Sequence, residues 1–439
     1  MKTTDDHSVK ALEKWLSNAH SYTSDSRAAH ADSVFVALKG EHNDGHSFVA
    51  KLLDQQNIRG FVISEEHFKQ NQAMLLQKRS MDCFWVVQDT HETHRQIARY
   101  FRSQFKGTVI AVGGSSGKTS CKEFLAQILK AIGKKTVATY KSQNGEQGIP
   151  KTLESLNSQV DVAVIEIGID GPGDMIRHVE IVNPNYSILT SIGEEHLNLL
   201  KNIQGVFTEE RVLFDHTRKM GGRCFAPQSD EWLSKMPDVE LVPDSPELVD
   251  ASFNSNLTGV YPRRNAALAA FVCLKLFPQD KNLIAKSLNA LIVPEGRGRV
   301  VSGPTGRIWV EDHYNSNPSS LRAALHQAKI LKSEHRKEIT LVLGDMLDLG
   351  SESLALHQSL LPDLRALNPH RVILIGPMMN TLKSEISKFA KNIESYPDSA
   401  AAALSANFSQ WNQTITVFKG SRGMALEKVL NGFQSSEDS

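Results

Sequence analysis

The stretch KGTVIAVGGSSGKTSCKEFLAQILKAIG (106–133) constrains the fold more than any other part of this 439-residue chain. TVIAV is an apolar run of strand length, and it passes directly into a turn of glycine and serine. Apolar residues then return at helical spacing until a glycine stops the pattern. A strand, a glycine turn and a helix in that order form a βα unit whose loop amides and helix N-terminus face an anion. Gly114, Ser115, Ser116, Gly117, Lys118, Thr119 and Ser120 are therefore expected to hold the phosphates of a nucleotide. Lys118 would reach the terminal phosphates, and Thr119 or Ser120 would place a hydroxyl on Mg2+. The loop departs from the common GxxxxGK[ST] spacing, because Val112 stands five residues before Gly117.

The rest of the chain repeats the strand and helix alternation. VFVAL (34–38), GFVIS (60–64) and CFWVV (83–87) are short strand-like runs separated by polar helical stretches, which predicts a small α/β domain over 1–104. DVAVIEIG (161–168) and YSILTSIG (186–193) are further strands, and PRRNAALAAFVCLKLF (262–277) is a helix, giving a central parallel-sheet domain of the P-loop ATPase kind over 105–295. PEGRGRVVSGPTG (294–306) is glycine-rich and aperiodic, and marks a boundary. RIWVED, ITLVLGDM, RVILIG and TITVFKG follow, each leading into a helical stretch, so 296–439 is expected to be a Rossmann-like α/β domain. That domain has no GxGxxG, so a second dinucleotide site is not expected. The tail QSSEDS is expected to be disordered.

Composition excludes whole classes of function. Lys and Arg number 49 against 49 Asp and Glu, a balance with no footprint for nucleic acid or an anionic membrane. Nothing approaches the roughly 18 consecutive apolar residues of a membrane span, and MKTTDDHSVK lacks the apolar core of a secretory signal. Cys83, Cys121, Cys224 and Cys273 are scattered without metal-site spacing, as in a chain with reduced thiols. These features point to the cytoplasm. A protein kinase is disfavoured by the lack of HRD or DFG motifs.

GGSSGKTS after TVIAV resembles the TGSNGKTT loop of the Mur ligases, ATP-dependent enzymes that extend the nucleotide-linked precursor of bacterial peptidoglycan, and that family shares the shifted glycine spacing. The likeness continues along nearly the whole chain. SDSRAAHADSVFVALKGEHNDGHSFV (24–49) is similar to the family's uridine-nucleotide segment, which implies substrate contacts for Asp25, Ser26 and Arg27. EDHYNSNPSSLRAAL (311–325), LVLGDMLDLG (341–350) and VFKGSRGMALEKV (417–429) resemble motifs of the branch that takes UDP-N-acetylmuramoyl-tripeptide and D-Ala-D-Ala, and imply those partners. The chemistry implied is activation of a carboxylate by the γ-phosphate of ATP to an acyl phosphate that an amine then attacks, with two Mg2+ ions as the accompanying cations.

Individual roles follow from the same resemblance. Glu166, at the end of a strand, and His196, in TSIGEEHLNLL, match metal-binding positions. Asn144 and Thr152, in KSQNGEQGIPKTL, fall in a segment that contacts substrate near the phosphates, although Asn144-Gly145 also reads as a plain turn. Asn265 aligns with an adenine-reading Asn, with Tyr261 and Pro262 in place of the family's His and Asn. Arg297 is implied at the interdomain hinge near the γ-phosphate. Asp312, Asn315 and Asn317 would complete the nucleotide clamp, and Lys419, Ser421 and Arg422 would meet the peptide.

The main departure lies in GVFTEERVLFD (205–215). Alignment on its LF places Glu210 where most of the family carries a lysine, modified to a carbamate, that bridges toward the second magnesium. Both groups present hard carboxylate oxygens suited to Mg2+. Glu210 could take over as metal ligand, the second metal site could have been lost, a register slip could put Glu209 or Arg211 there, or EER could lie on a solvated helix face. Ser116, Ser191 and Asp348 are further departures. The expectation is a three-domain, monomeric ligase, with two rivals: the same chemistry on another amine or acceptor, and a non-catalytic nucleotide-binding member.

Overall fold

The computed structural model describes residues 9–436 apart from 31, 41–42, 55–57, 304–305 and 412, so most of MKTTDDHSVK and the last three residues of QSSEDS lie outside the described residues. Three sheets follow one another along the chain. The first, in order β1-β2-β3-β4, joins β1 (Ser21–Thr23), β2 (Ser33–Val36), β3 (Gly60–Ser64) and β4 (Phe84–Val87), all parallel. The second joins β5 (Thr108–Gly113), β6 (Thr136–Ala138), β7 (Val162–Glu166), β8 (Tyr186–Leu189), β9 (Arg223–Pro227) and β10 (Glu240–Val242) in the order β10-β9-β8-β5-β7-β6, again all parallel. The third holds β11 (Arg299–Ser302), β12 (Ile308–Asp312), β13 (Glu338–Gly344), β14 (Arg371–Ile375), β15 (Asn392–Tyr396) and β16 (Thr414–Lys419) in the order β11-β12-β16-β13-β14-β15. Only β11 runs antiparallel to its neighbour.

The unbroken apolar runs are explained by burial on both faces. In β5, Val109 and Ala111 join one core cluster while Ile110 and Val112 join the cluster on the opposite face. In β7, Ala163 and Ile165 divide from Val162 and Val164 in the same way. In the third sheet Leu341 and Leu343 face one layer and Val342 the other. The helix Thr90–Gln104 leads from the first sheet to the second, and its buried Ile97 and Ala98 share a core with Leu12 and Val62 from the first sheet's unit and with Val179 and Val182 from the second's.

Two expectations need revision. The strand expected over 186–193 stops at Leu189, because Thr190 to Gly193 turn away to hold the glycine loop. The tail is not wholly disordered: Gln434 and Ser435 close the helix Glu427–Ser435, and Ser436 is held by the Arg307 guanidinium at 3.2 Å.

In the second sheet the chain leaves β5 for β6 on one side and leaves β8 for β9 on the other, so β5 and β8 flank a topological switch point. Ligand crevices form beyond the carboxyl ends of strands at such a point. The glycine loop follows β5, Glu166 ends β7, and Thr190 to His196 follow β8.

Candidate active site

Beyond those strand ends lies a cavity of about 370 Å3, lined from the second sheet by Ser115 to Ser120, Glu166 and His196, and from the third by Asp312, Asn317 and Lys419. The loop at its floor needs its glycines. Gly114 and Gly117 have φ of 110° and 94°, the left-handed region that glycine enters freely. A Cβ on Gly114 would stand 2.7 Å from the Thr190 nitrogen, and one on Gly117 would stand 2.7 Å from the Asn265 amide nitrogen. The residues after β8 hold the loop in place. The Ser115 amide donates to the Ser191 carbonyl at 2.8 Å, the Thr190 hydroxyl to the Ser116 carbonyl at 2.7 Å, and the Gly193 amide to the Ser115 hydroxyl at 2.9 Å. Lys118 opens the helix Lys118–Ala131, and its ammonium donates to the Gly114 carbonyl at 2.5 Å. Burial works to lower the Lys118 pKa, but the nearby carboxylates of Glu195, Glu210 and Glu166 outweigh it and the net shift is upward, so Lys118 is a fixed cation.

Carboxylates surround that cation. Glu166, 1% exposed, accepts from the Thr119 hydroxyl at 3.0 Å and the Asn144 amide at 2.7 Å through Oε1. Asn144 is therefore tied into the cavity wall and is more than a turn residue. Glu210 is fully buried and its Oε2 accepts from the Gly114 amide at 2.9 Å, directly beneath the glycine loop. Burial pushes its pKa up to about 8, against the pull of Lys118. The solvated-face reading of EER fails for this residue. Glu209 accepts from the Gly173 and Met175 amides at 3.0 and 2.8 Å, at the start of the helix Asp174–Val182, and Arg211 pairs with Asp215 at 3.1 Å, half-exposed. His196 has a left-handed backbone, φ 50°, and lines the cavity.

The third sheet closes the cavity from above. The Asn317 amide donates to the Ser116 hydroxyl at 3.1 Å, and the Tyr261 and Ser319 hydroxyls lie 2.8 Å apart. Arg297 donates to the Ser142 hydroxyl at 3.0 Å, with its guanidinium 3.9 Å from the centre of the Tyr314 ring. Lys419 pairs with Asp312 at 3.1 Å and donates to the Asn315 carbonyl at 2.6 Å. Burial raises the Asp312 pKa and lowers that of Lys419, each opposed by its partner.

Other expected residues lie elsewhere. Thr152 is not among the cavity-lining residues, and its hydroxyl donates to the Gly148 carbonyl of its own helix at 3.0 Å. Ser421 is buried and braces the third domain, accepting from the Leu347 amide at 2.9 Å. Arg422 lines the cavity rim and pairs with Glu427 at 3.2 Å. Asp25 and Arg27 pair with one another at 2.7 Å on the first domain, outside the cavity, as does Ser26 between them. Sequence reasoning missed Ser142 and Glu195, which line the cavity, and Lys122, which is buried beneath it. Only GEEH, with an acidic residue beside the expected His196, carried a signal for Glu195.

Buried carboxylate oxygens without a hydrogen-bond partner test whether a cation would fit. Glu166 Oε2, Glu195 Oε1 and Glu210 Oε1 are such atoms among the described residues. No group of three or more His, Cys, Asp or Glu is placed among them to hold an ion unaided. That combination suits Mg2+, which takes one or two carboxylates and completes its shell with phosphate oxygens and water.

Known proteins show the same organisation. Residues 112–273 match the Mur ligase middle domain and residues 296–422 the Mur ligase, glutamate ligase domain. The UDP-N-acetylmuramoyl-tripeptide--D-alanyl-D-alanine ligase of Escherichia coli is 27% identical over 449 residues, 94% of this chain and 93% of that protein. The Treponema pallidum protein of the same name is 27% identical over 434 residues, 92% of each chain. A crystal structure of MurF from Acinetobacter baumannii shares the fold with a TM-score of 0.76 at 24% identity, covering 98% of both chains. The MurF ligase of Thermotoga maritima in complex with ADP does so with a TM-score of 0.75 at 20% identity, covering 97% of this chain and 99% of its own. With both catalytic-half domains matched and the three-sheet architecture shared end to end, this chain belongs to the Mur ligase family.

Proposed function

We propose that the chain is an ATP-dependent amide ligase that joins D-Ala-D-Ala to UDP-N-acetylmuramoyl-tripeptide, releasing ADP and phosphate. The observation that carries this reading is a cavity in which the glycine loop of the second sheet meets the polar strand ends of the third. Such a cavity can hold a nucleotide and a carboxylate together and exclude water from the product of their reaction.

In this scheme the loop amides from Gly114 to Ser120 and the Lys118 ammonium hold the phosphates. Asn265, packed against Gly117, serves the adenosine side. Arg297, steered by Ser142 and Tyr314, is assigned to the transferring γ-phosphate. The tripeptide carboxylate attacks that phosphorus and ADP leaves. The acyl phosphate then accepts the amine of D-Ala-D-Ala, an amide bond forms, and inorganic phosphate departs with the C–O electron pair. Mg2+, when bound, neutralises phosphate charge during transfer. Thr119, Glu166, His196 and Glu210 are the residues proposed to hold it. Asp312, Asn315 and Asn317 complete the nucleotide clamp, and Lys419 and Arg422 would meet the peptide. Asp25, Ser26 and Arg27 are assigned to the uridine nucleotide on the first domain.

We take 1–104, 105–295 and 296–439 as the three domains, and a cytoplasmic monomer acting on no nucleic acid as the working form. Among the described residues no helix is long and apolar enough to cross a membrane. The test is phosphate release from ATP with UDP-N-acetylmuramoyl-tripeptide, with and without D-Ala-D-Ala, alongside mass spectrometry of the product. Release that requires both substrates and yields the pentapeptide is expected. ATP binding without turnover would favour another amine or a non-catalytic role.

A further inference from the structure

Segment 142–154 runs from the wall of the cavity to the first domain. At its start the Ser142 hydroxyl accepts from Arg297 at 3.0 Å, and the Asn144 amide donates to the Glu166 carboxylate at 2.7 Å. Ser142 and Asn144 both line the cavity. The turn that follows is tight: a Cβ on Gly148 would stand 2.1 Å from the Gln143 carbonyl oxygen, and the Ile149 amide donates to the Gly145 carbonyl at 3.0 Å. Glu146, in that turn, pairs with Arg95 of the helix Thr90–Gln104. The helix Gly148–Leu153 then buries Ile149 and Leu153 in the core that holds Tyr22 and Ile97. Just past its end, Glu154 Oε1 accepts from the Ser24 amide at 3.2 Å and the Ser24 hydroxyl at 3.4 Å, and lies 3.3 Å from His94 Nε2.

Ser24 leads into Asp25, Ser26 and Arg27, the residues assigned above to the uridine nucleotide. Bonds inside that turn are local, the Asp25 amide donating to the Thr23 hydroxyl at 3.1 Å and the Arg27 amide to the Asp25 carboxylate at 3.0 Å. Hydrogen bonding from Arg27 holds the Asp25 carboxyl down at about 2, and the charge of Lys151, on the helix before Glu154, acts in the same direction. Glu154 ties the turn to the second domain. A nucleotide held at 25–27 is thereby placed, through one tightly turned segment, relative to Arg297 and Glu166 at the other end. We propose that Glu154 is a positioning residue for the UDP-linked substrate: it fixes the 24–27 turn against segment 142–154 and so sets how far the tripeptide carboxylate reaches toward the γ-phosphate. The inference rests on the uridine reading of Asp25, Ser26 and Arg27. It also gives the segment that carries Thr152 a part in placing substrate, although the Thr152 hydroxyl bonds within its own helix. Reaction needs the attacking and accepting atoms about 3–3.5 Å apart, so an error of about an ångström at the turn is felt at the phosphorus.

The test is steady-state kinetics of the full chain with UDP-N-acetylmuramoyl-tripeptide, ATP and D-Ala-D-Ala varied in turn, beside calorimetry of UDP-N-acetylmuramoyl-tripeptide binding and thermal melting. Glu154→Ala removes the accepting oxygen, Glu154→Asp withdraws it by one methylene, and Glu154→Gln keeps an oxygen at the same reach. In the Ala and Asp variants KM for UDP-N-acetylmuramoyl-tripeptide is expected to rise roughly 10-fold, the scale of one lost hydrogen bond to a charged group, while KM for ATP stays within about 2-fold of wild type. Their kcat should fall roughly 10- to 100-fold. Glu154→Gln should recover most of both losses. Where Glu154→Ala fails to fold, Glu154→Asp carries the comparison. Wild-type KM and kcat in folded Glu154→Asp would overturn the positioning role and leave the uridine reading intact. Equal rises in KM for both substrates would overturn it too, since they mark a general loosening of the fold. A wild-type chain that binds ATP but not UDP-N-acetylmuramoyl-tripeptide would overturn the uridine reading and the inference with it.

Discussion

Lys122→Met separates the support of the site from the site itself. Lys122 has no exposure, although it lies on the helix that begins at Lys118. Its ammonium donates to the carbonyls of Thr139 at 2.7 Å and Lys141 at 2.8 Å and to Glu123 at 2.6 Å, and it stands 3.8 Å from Glu166 Oε2. Met keeps the length of the side chain and removes its charge and donors. The Thr139 carbonyl, deep in the structure, would lose its donor at about 2 kcal/mol, and the more accessible Lys141 carbonyl at about 1 kcal/mol. Glu166 would lose its nearest cation, in a class of change that costs about 3–5 kcal/mol when a buried pair is broken. Relief of the ammonium's own desolvation opposes these terms, so a net loss of about 2–4 kcal/mol is expected. The loop pinned by Lys122 carries Ser142, which holds Arg297, and Asn144, which holds Glu166. Misplacement of those groups by about an ångström should lower kcat by roughly 100-fold. ADP affinity should change only a few-fold, because the loop amides are held from the other side by Thr190 to Gly193. Urea unfolding, steady-state kinetics and ADP calorimetry measure the three quantities. An unchanged unfolding midpoint would refute the energetic argument, and full kcat in a destabilised variant would refute the positioning argument.

Asn317 both caps the helix Pro318–His335, in a capping box with Ser320, and bonds Ser116 across the domains. Asn317→Ala should cost about 1–2 kcal/mol and raise KM for ATP, whereas Asn317→Asp, which keeps the cap but not the amide donor, should restore stability without restoring KM. Tyr22 donates to the Pro150 carbonyl at 2.9 Å, joining the first domain to the second, and that carbonyl also accepts from the Glu154 amide. Tyr22→Phe should therefore cost only about 1 kcal/mol in urea unfolding; a loss several times larger would show that the hydroxyl does more than bridge. His357, fully buried, accepts from the Met346 amide through Nε2 at 3.0 Å and bonds the Ser353 carbonyl through Nδ1, so it is neutral with its proton on Nδ1. Burial holds its pKa below the usual value near 6.5. Its contribution to stability is thus complete above that unfolded value and is lost as pH falls toward the folded one. Denaturation midpoints from pH 7.5 to 5.5 should fall more steeply in wild type than in His357→Gln.

What could be read from the sequence was what is local. The βα unit at 106–133 contains its own strand, turn and stop, and Glu166 closes a run of five buried strand residues. Edge strands of three residues, β1, β6 and β10, are too short to show any period. Lys122 looks like an ordinary polar position of an amphipathic helix, because the carbonyls that bury it come from a turn 17 and 19 residues away.

The run Glu209, Glu210, Arg211 marks the boundary of what local pattern can decide. Successive helical residues point about 100° apart, so one residue of register separates three unrelated fates. Here they are an N-terminal cap for the helix Asp174–Val182, a carboxylate under the glycine loop 96 residues away, and a half-exposed ion pair. Nothing within the segment distinguishes Glu209 from Glu210, since both are acidic and both find backbone amides. The difference is set by which face of Ile203–Lys219 packs on the sheet, and Val206, Leu213, Phe214 and Thr217, buried on the same helix as Glu210, fix that face. The carboxylate beneath the loop is therefore held by apolar packing at neighbouring turns. Shifting the helix by one residue would exchange Glu210 for Glu209 only by turning Phe214 into the half-exposed place of Asp215.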